Sequence, residues 1–396
     1  MQDVYIIAAC RTPIGKMGGA LKSLSVADLT GAVLEEVVKR GGIRKSDVDE
    51  IVMGETRPSS AIHNVARYTA LKTGFPVTTP GYTIQQACCS GMTAVECAMN
   101  KIMVGMADLV IAGGVESMSN APFFTTSIRY GTGTGDLTIR DSITESQIGA
   151  QPSEIYGRLG MGAITEELAK KYGITREESD ALSHASQVKY QAAYEAGKFD
   201  EIVPVKVPQR KGDPIIVDKD EHPRLTSPEK LATLKPAFVA DGQITVGNAS
   251  GRNDGACVLL LAGEEKMKAM GLKPMAKIVG YSVAGVDPRE MGIGPVPAVR
   301  KVMERTGMKL EDMDLIELNE AFACQTLACV KELGIDQEKL NVNGGAVALG
   351  HPSGATGARL ITTLCYELHR RPEAKYGLAT LCVGGGMGNA VIIEKV

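Results

Sequence analysis

Gln86-Ala87-Cys88-Cys89-Ser90-Gly91, with a helical run from Met92 to Met103 behind it, reads as one copy of a strand-to-helix turn. Ala348-Leu349-Gly350-His351-Pro352-Ser353-Gly354, with a helical run from Ala355 to Leu368, reads as the other. Cys88 and His351 hold the same place in each copy, two residues ahead of a Ser-Gly pair. The flanks repeat as well. Upstream, Asp47-Val48-Asp49-Glu50-Ile51 parallels Asp312-Met313-Asp314-Leu315-Ile316. Downstream, the run from Asp108 to Gly113-Gly114 parallels the run from Leu378 to Gly384-Gly385-Gly386. Similar order and similar gaps predict a duplicated α/β fold that sets a thiol from one half against an imidazole from the other. Such a pairing belongs to covalent acyl-transfer chemistry.

The bulk composition narrows the alternatives. A chain of 396 residues is long enough for two or three domains with full cores. A net charge of −3, no Trp and 4% aromatic residues leave neither the basic footprint nor the stacking platforms of a nucleic-acid binder. No stretch approaches the ~20 apolar residues of a membrane span. The N-terminus runs straight into a strand-like segment without a basic leader, and the C-terminus carries no peroxisomal address, so a cytoplasmic protein is expected. The nine cysteines are scattered, odd in number and without a CxxC pair, which argues against a disulfide framework or a zinc site. Most are expected to be buried small hydrophobes.

Strand-like runs alternate with helical patterns over residues ~1–118 and again over ~275–396, as in α/β layers. Residues ~119–249 differ. Gly131-Thr132-Gly133-Thr134-Gly135 and Gln151-Pro152-Ser153 are loop-like, Thr165 to Tyr194 is a charged amphipathic stretch, and Arg210 to Arg224 reads as solvated surface. This block is expected to be an insertion covering one face of the core, and Gly263 to Pro274 a linker. The charged clusters at 176–180 and 264–268 read as solvated helix faces.

Cys88 stands at a helix start, where the backbone dipole favours thiolate. Cys89, one position on, points elsewhere and is assigned a structural role. Gly350 frees the turn before His351, and Pro352 holds His351 out of helical geometry while itself suiting a first helical turn. His351 therefore reads as the general base for Cys88, whereas His63, His184, His222 and His369 read as surface capping residues. Cys382 precedes Gly384-Gly385-Gly386-Met387-Gly388, a run able to present N–H groups to an oxyanion, or simply to turn. A dinucleotide fingerprint is excluded there because Asn389 to Ile393 reads as a strand. Asn319-Glu320 closes another strand; it is either a helix cap or an amide placed to hold a water or a carbonyl oxygen.

With these residues in hand the chain closely resembles the thiolase family over nearly its whole length. The matching segments are Cys88-Cys89-Ser90-Gly91, Asn248-Ala249-Ser250-Gly251 with Asn253-Asp254-Gly255-Ala256, Asn319-Glu320-Ala321-Phe322, Gly344-Gly345-Ala346 through Gly354, and Cys382-Val383-Gly384-Gly385-Gly386. The resemblance implies a five-layered α/β/α/β/α fold and a tetramer or dimer. It also implies an N-terminal domain over 1–270, carrying the inserted loop domain of about 119–249, and a C-terminal domain over 271–396. It implies 3-oxoacyl-CoA and coenzyme A as substrates, no permanently bound cofactor and no metal. Cys88 would be the acylated nucleophile, His351 its activator and Cys382 the acid/base. Asn319 would hold a water that forms one oxyanion hole with His351, and the N–H groups of Cys88 and Gly384 would form the other. Arg224, Ala237, Phe238 and Ser250 would contact coenzyme A, and Met161, Met291 and Phe322 would line the acyl end. Two departures from the family pattern stand out. Gln85-Gln86 replaces the Asn-Arg or Asn-Lys of many members, and Gly160-Met161-Gly162 replaces the His-Met-Gly of short-chain biosynthetic members. The second is expected to remove a polar wall and open the pocket beyond four carbons. The narrower alternative is an acetyl-CoA C-acetyltransferase making acetoacetyl-CoA. A decarboxylating ketoacyl synthase needs His or Asn where Cys382 stands, and a silent acyl-CoA-binding subunit would not need all four reactive positions.

Overall fold

The computed structural model describes residues 2–58 and 61–396. The first half supplies strands β1 (Val4–Arg11), β2 (Glu50–Gly54), β3 (Gly81–Ile84), β4 (Leu109–Ser117) and β5 (Asn253–Gly263). The second supplies β6 (Ala276–Gly285), β7 (Leu315–Leu318), β8 (Tyr376–Val383) and β9 (Met387–Lys395). Within the first half the order is β3-β2-β4-β5-β1, and within the second β7-β8-β9-β6. A short β1–β6 pairing, Tyr5 with Lys277 and Ile6 with Ala276, joins the two edge to edge. Strands β4 and β5 are buried at every residue, as strands covered on both faces must be.

Helices supply that cover. The first half contains α1 (Val26–Gly41), α2 (Val65–Lys72) and α3 (Ser90–Met103). The insertion adds α4 (Ser142–Ile148), α5 (Met161–Lys171) and α6 (Arg176–Glu195), and α7 (Glu264–Met270) follows β5. The second half contains α8 (Pro295–Thr306), α9 (Ala323–Leu333) and α10 (Ser353–Arg370). Leu29, Val33, Leu34 and Val37 of α1 pack with Val65 and Ala66 of α2 on the outside of the first half-sheet. Val299 and Val302 of α8 pack with Ala328 and Cys329 of α9 on the outside of the second. Between them α3 and α10 form the central layer, where Val95 and Ala98 meet Leu360, Ile361 and Leu364 against strands of both half-sheets. Each of these buried Val, Leu and Ile side chains contributes roughly 1.5–3 kcal/mol relative to exposure, so the inner layer binds the halves into the expected α/β/α/β/α sandwich.

The duplication reaches single side chains. The Asp49 carboxylate accepts the N–H groups of Asp108 and Leu109 at 2.8 and 2.9 Å, and Asp314 accepts those of Lys375 and Tyr376 at 2.7 and 2.9 Å. Parallel pairing sets Ile51 beside Ile111 and Ile316 beside Leu378. Leu109 is thus the counterpart of Tyr376, and the downstream repeat read from the glycines is out of register. Gly113-Gly114 lies inside β4, whereas Gly384-Gly385-Gly386 forms the turn after β8.

Several local expectations are revised. Residues 165–194 are two helices, because Gly173 adopts φ +58° and Thr175 opens α6 with a capping box to Glu178. The 263–274 segment is not an open linker but contains α7, closed by Gly271 in the left-handed region. Asp180 is not solvated: it accepts from Arg176 and Asn248 inside the insertion. The polar 210–224 segment also turns inward at its end. Asp220 accepts from the buried Arg11 guanidinium at 2.7 and 3.0 Å, and Glu221 accepts from the N–H groups of Lys16 and Ala20. A charged cluster reads as surface until its partner, far away in sequence, is known.

Candidate active site

Local hydrogen bonds build the first turn. Ala87 takes φ +45°, a region that costs an L residue about 1–2 kcal/mol. Ser90 Oγ holds it there by donating to the Ala87 carbonyl at 2.7 Å and accepting the Gln86 N–H at 2.9 Å. Cys88 is left two residues ahead of the first helical residue of α3, with its side chain free of the turn's bonding. The second turn leaves His351 at the matching distance from α10. Asn253 Oδ1 accepts the His351 N–H at 2.9 Å, and Glu116 accepts the Gly354 N–H at 3.0 Å.

Glycine brings the two turns together. A Cβ on Gly91 would sit 2.6 Å from the Gly354 carbonyl oxygen, and one on Gly114 would overlap the same atom. The first turns of α3 and α10 therefore approach backbone to backbone. As a result Cys88, His351, Cys382 and Gly384 line one cavity of about 160 Å³.

The chemistry of that cavity follows from its hydrogen bonds. Thr356 Oγ donates to the Pro352 carbonyl at 3.0 Å, so it accepts at 2.7 Å from Nδ1–H of His351. This network assigns the tautomer. Nε2 keeps a lone pair, is buried and has no partner. Burial, with the cations of Arg359 and Arg57, holds the imidazole pKa down at about 3. Burial likewise pushes the Cys88 thiol up, against the pull of Arg57 and of the Gly384 N–H that faces the sulfur. Desolvation of the anion thus works against the thiolate that the helix start favours. Cys382 is pushed well up too, by burial and then by the nearby Cys88 sulfur. The resting site is an uncharged thiol pair with a neutral base.

Asn319 is fully buried at the end of β7, and neither its Oδ1 nor its Nδ2 has a partner. An amide left unbonded on both sides is costly unless a water or ligand atom completes it. Neither Asn319 nor Glu320 caps a helix, since α9 begins at Ala323 behind Phe322. Glu320 instead ties the insertion to the second half, accepting from Ser186, Asn341 and the Val347 N–H.

Of the other expected site residues, Ser250, Met161, Met291, Phe322 and Phe238 line the same cavity. Phe238 meets Phe322 edge to face with ring centroids 5.7 Å apart. Arg224 lines a separate cavity of about 210 Å³ with Ser183, Gln187 and Lys230, and its Nη2 donates to the Val246 carbonyl at 2.6 Å. Ala237 is exposed beside Phe238, and its N–H donates to the Ile244 carbonyl. Gly160 lines neither cavity; a Cβ there would stand 3.8 Å from Gln147 Oε1, and Gln147 lines the cavity of Cys88. Gln147, an amide from α4, is the side chain that a Cβ at Gly160 would meet.

Cys89 is fully buried, with its sulfur beside Thr93 at 3.3 Å and accepting from Asn389 at 2.9 Å. His222 is not a surface cap: it is buried, and burial together with Arg224 and Lys16 lowers its pKa to about 4. His184 and His369 bond the carbonyls of Thr226 and Met275. Sequence reasoning missed Thr356, Glu116 and Arg57, and gave Asn253 no role of its own. Only Thr356, one helical turn after His351, carries a usable signal. Among the described residues no cluster of His, Cys, Asp and Glu could hold a metal, and no helix is long and apolar enough to cross a membrane.

Residues 4–265 match the family profile described as thiolase, N-terminal domain, and residues 272–395 that of thiolase, C-terminal domain. The chain is 46% identical to the acetyl-CoA acetyltransferase of Allochromatium vinosum, over the full length of both. It superposes on the crystal structure of Bacillus anthracis acetyl-CoA acetyltransferase with a TM-score of 0.97 at 49% identity, covering 100% of this chain and 99% of that one. Against human mitochondrial 3-ketoacyl-CoA thiolase in complex with CoA the TM-score is 0.94 at 41% identity, covering 100% and 98%.

Proposed function

Because the chain belongs to the thiolase family and is an acyltransferase that cleaves 3-oxoacyl-CoA with coenzyme A or runs the reverse condensation, we propose that Cys88 carries the acyl group between the half-reactions. One observation carries the assignment. The Cys88 sulfur faces the Gly384 N–H in the same 160 Å³ cavity as the unpartnered Nε2 of His351 and the Cys382 thiol. Nε2 takes the Cys88 proton, and the thiolate attacks C3 of the substrate. The N–H groups of Cys88 and Gly384 receive the oxyanion. Collapse breaks the C2–C3 bond and expels the enolate of acetyl-CoA. Nε2–H of His351 and a water on the Asn319 amide hold the enolate oxygen while Cys382 Sγ–H protonates C2. The Cys382 thiolate then deprotonates coenzyme A, whose sulfur collects the acyl group from Cys88. Trapping the acyl-enzyme by mass tests this, as developed below.

Coenzyme A is a co-substrate in this reading, with its nucleotide end at Arg224 and its pantetheine along Ala237, Phe238 and Ser250. We place the division between N- and C-terminal domains at 270/271, with about 119–249 as the loop domain. The protein is read as a cytoplasmic homotetramer or homodimer working in fatty-acid β-oxidation. The half-buried edge strand β3 and exposed Phe123, Tyr130 and Ile139 offer surfaces for self-association. Sedimentation equilibrium giving a monomer at micromolar concentration would refute the oligomer.

A neutral buried base predicts the pH profile. An ordinary imidazole with a pKa near 6.5 is about tenfold depleted in its basic form at pH 5.5. With His351 held at about 3, the deprotonated form persists throughout that range. kcat/KM is expected to show no inflection near pH 6.5 on the acid side; a drop of about fivefold between pH 6.5 and 5.5, as an ordinary imidazole would give, would contradict it.

Chain length gives a second check. Besides the catalytic cavity, a chamber of about 660 Å³ opens beside Cys88 and Met161. Each methylene buried there contributes about 0.8 kcal/mol, so two or three shift kcat/KM by about one to two orders of magnitude if fully dried. kcat/KM should hold or rise from four-carbon to six- or eight-carbon 3-oxoacyl-CoA. Gly160→His, by crowding Gln147, should reverse the trend. A steep fall after four carbons in the native enzyme would instead support the acetoacetyl-specific reading.

A further inference from the structure

The 660 Å³ chamber shares Cys88, Arg57, Gln147, Met161, Ser353 and Gly384 with the catalytic cavity. An acyl group bonded to the Cys88 sulfur therefore has this chamber as its exit, a statement that rests on the acyl-enzyme reading above. The chamber has apolar wall from Pro122, Phe124, Ala150 and Met387, on which methylenes can pack, but it also carries polar groups. Gln85, Gln86, Ser142 and Ser146 line it together with Gln147. Arg57 sets its charge.

The Arg57 side chain is only 12% exposed, yet its bonding is incomplete. Nη1 donates to Thr56 Oγ at 2.8 Å and stands 3.6 Å from Glu116, beyond a good hydrogen bond. Nε is buried without a partner. Glu116 is already engaged by the Thr56 hydroxyl and the Gly354 N–H. Glu145, the carboxylate on the chamber wall, is taken by Arg140 at 3.0 Å and approached by Arg158 at 3.9 Å. Neighbouring Glu55 is pushed up to about 8 by burial and by Glu116, so it adds no negative charge at neutral pH. A nearly buried guanidinium with unspent donors calls for an acceptor, and a carboxylate matches its planar fork best.

We propose that Arg57 receives the carboxylate at the far end of the acyl group, so that the substrate class is a 3-oxoacyl-CoA whose chain ends in a second carboxyl group. Arg57 reaches the chamber from the segment just beyond β2, where it faces a wall that includes the uncharged Gln85 and Gln86.

The test compares 3-oxoadipyl-CoA with 3-oxohexanoyl-CoA, equal in length and differing in the terminal carboxylate. Native enzyme is expected to favour the first in kcat/KM by tenfold or more. Arg57→Gln should reduce that ratio by 10- to 100-fold, and Arg57→Lys should keep part of it. Reading a ratio removes any general loss of folded enzyme. Equal or lower kcat/KM for the carboxylated substrate with native enzyme overturns the proposal, as does Arg57→Gln depressing both substrates equally, the mark of an arginine that only steadies Glu116. Intact mass after incubation with acetyl-CoA separates the two readings. An acylated Cys88 without a carboxylate preference refutes only the role of Arg57; an absent acyl group refutes the nucleophile as well.

Discussion

Cys88→Ser is expected to fold normally and to lose turnover by roughly 10⁴-fold or more, the scale on which removing a covalent nucleophile is felt. The turn that presents Cys88 is held by Ser90, Gln86 and Ala87 backbone bonds, none of which uses the Cys88 side chain. The substitution therefore removes reactivity and leaves the scaffold. Serine is the sharper choice because its hydroxyl keeps the shape but is far more reluctant to lose a proton, and the His351 imidazole, already reluctant to gain one, cannot compensate. Native protein incubated with acyl-CoA should gain the mass of one acyl group, and the variant none. Peptide mapping should place the group on Cys88. Acylation of Cys89 would sink the assignment, since its sulfur is fully buried against Thr93 and Asn389 and no substrate carbonyl reaches it without rearrangement.

Cys382→Ala should separate the two thiols. It ought still to acylate at Cys88, because His351 and the Gly384 N–H remain, while steady-state thiolysis falls by ~10²–10⁴-fold, the usual worth of general acid–base catalysis. The acyl-enzyme should then accumulate when coenzyme A is supplied, in contrast to the native protein, which discharges it. This split between preserved acylation and failed release is what distinguishes a proton carrier from a packing residue. Cys382 is buried near the end of β8, two residues before the first glycine of the turn, so a merely structural role would lower both steps together. Near-normal thiolysis in the variant would remove Cys382 from the mechanism.

How far the sequence alone reached depends on the range of the interactions involved. The repeated turn around Cys88 and His351 was visible because its determinants are local: a Ser two residues past the reactive position, a Pro or a strained residue next to it, and a helix directly after. Glu116 behind the Gly354 N–H and Asp220 on Arg11 were not visible, because each pairs groups far apart in the chain. The glycine echo misled for a related reason. Gly113-Gly114 serves close packing inside a strand, and Gly384-Gly385-Gly386 serves a turn, so one residue type answers two different steric demands.

By itself, then, the sequence pointed to a duplicated α/β fold and to four candidate reactive residues, since strand patterns and turn chemistry are written in neighbouring positions. Only the tertiary structure decided the state of those residues. Burial makes Cys88 and Cys382 thiols rather than thiolates, and Thr356 fixes which nitrogen of His351 is free. It also decided the character of the acyl chamber, where Gln147 and Arg57 converge from segments far apart in the chain. Protonation depends on how much water a group loses, and pocket polarity on which side chains converge; both are set by contacts between segments that no local pattern connects.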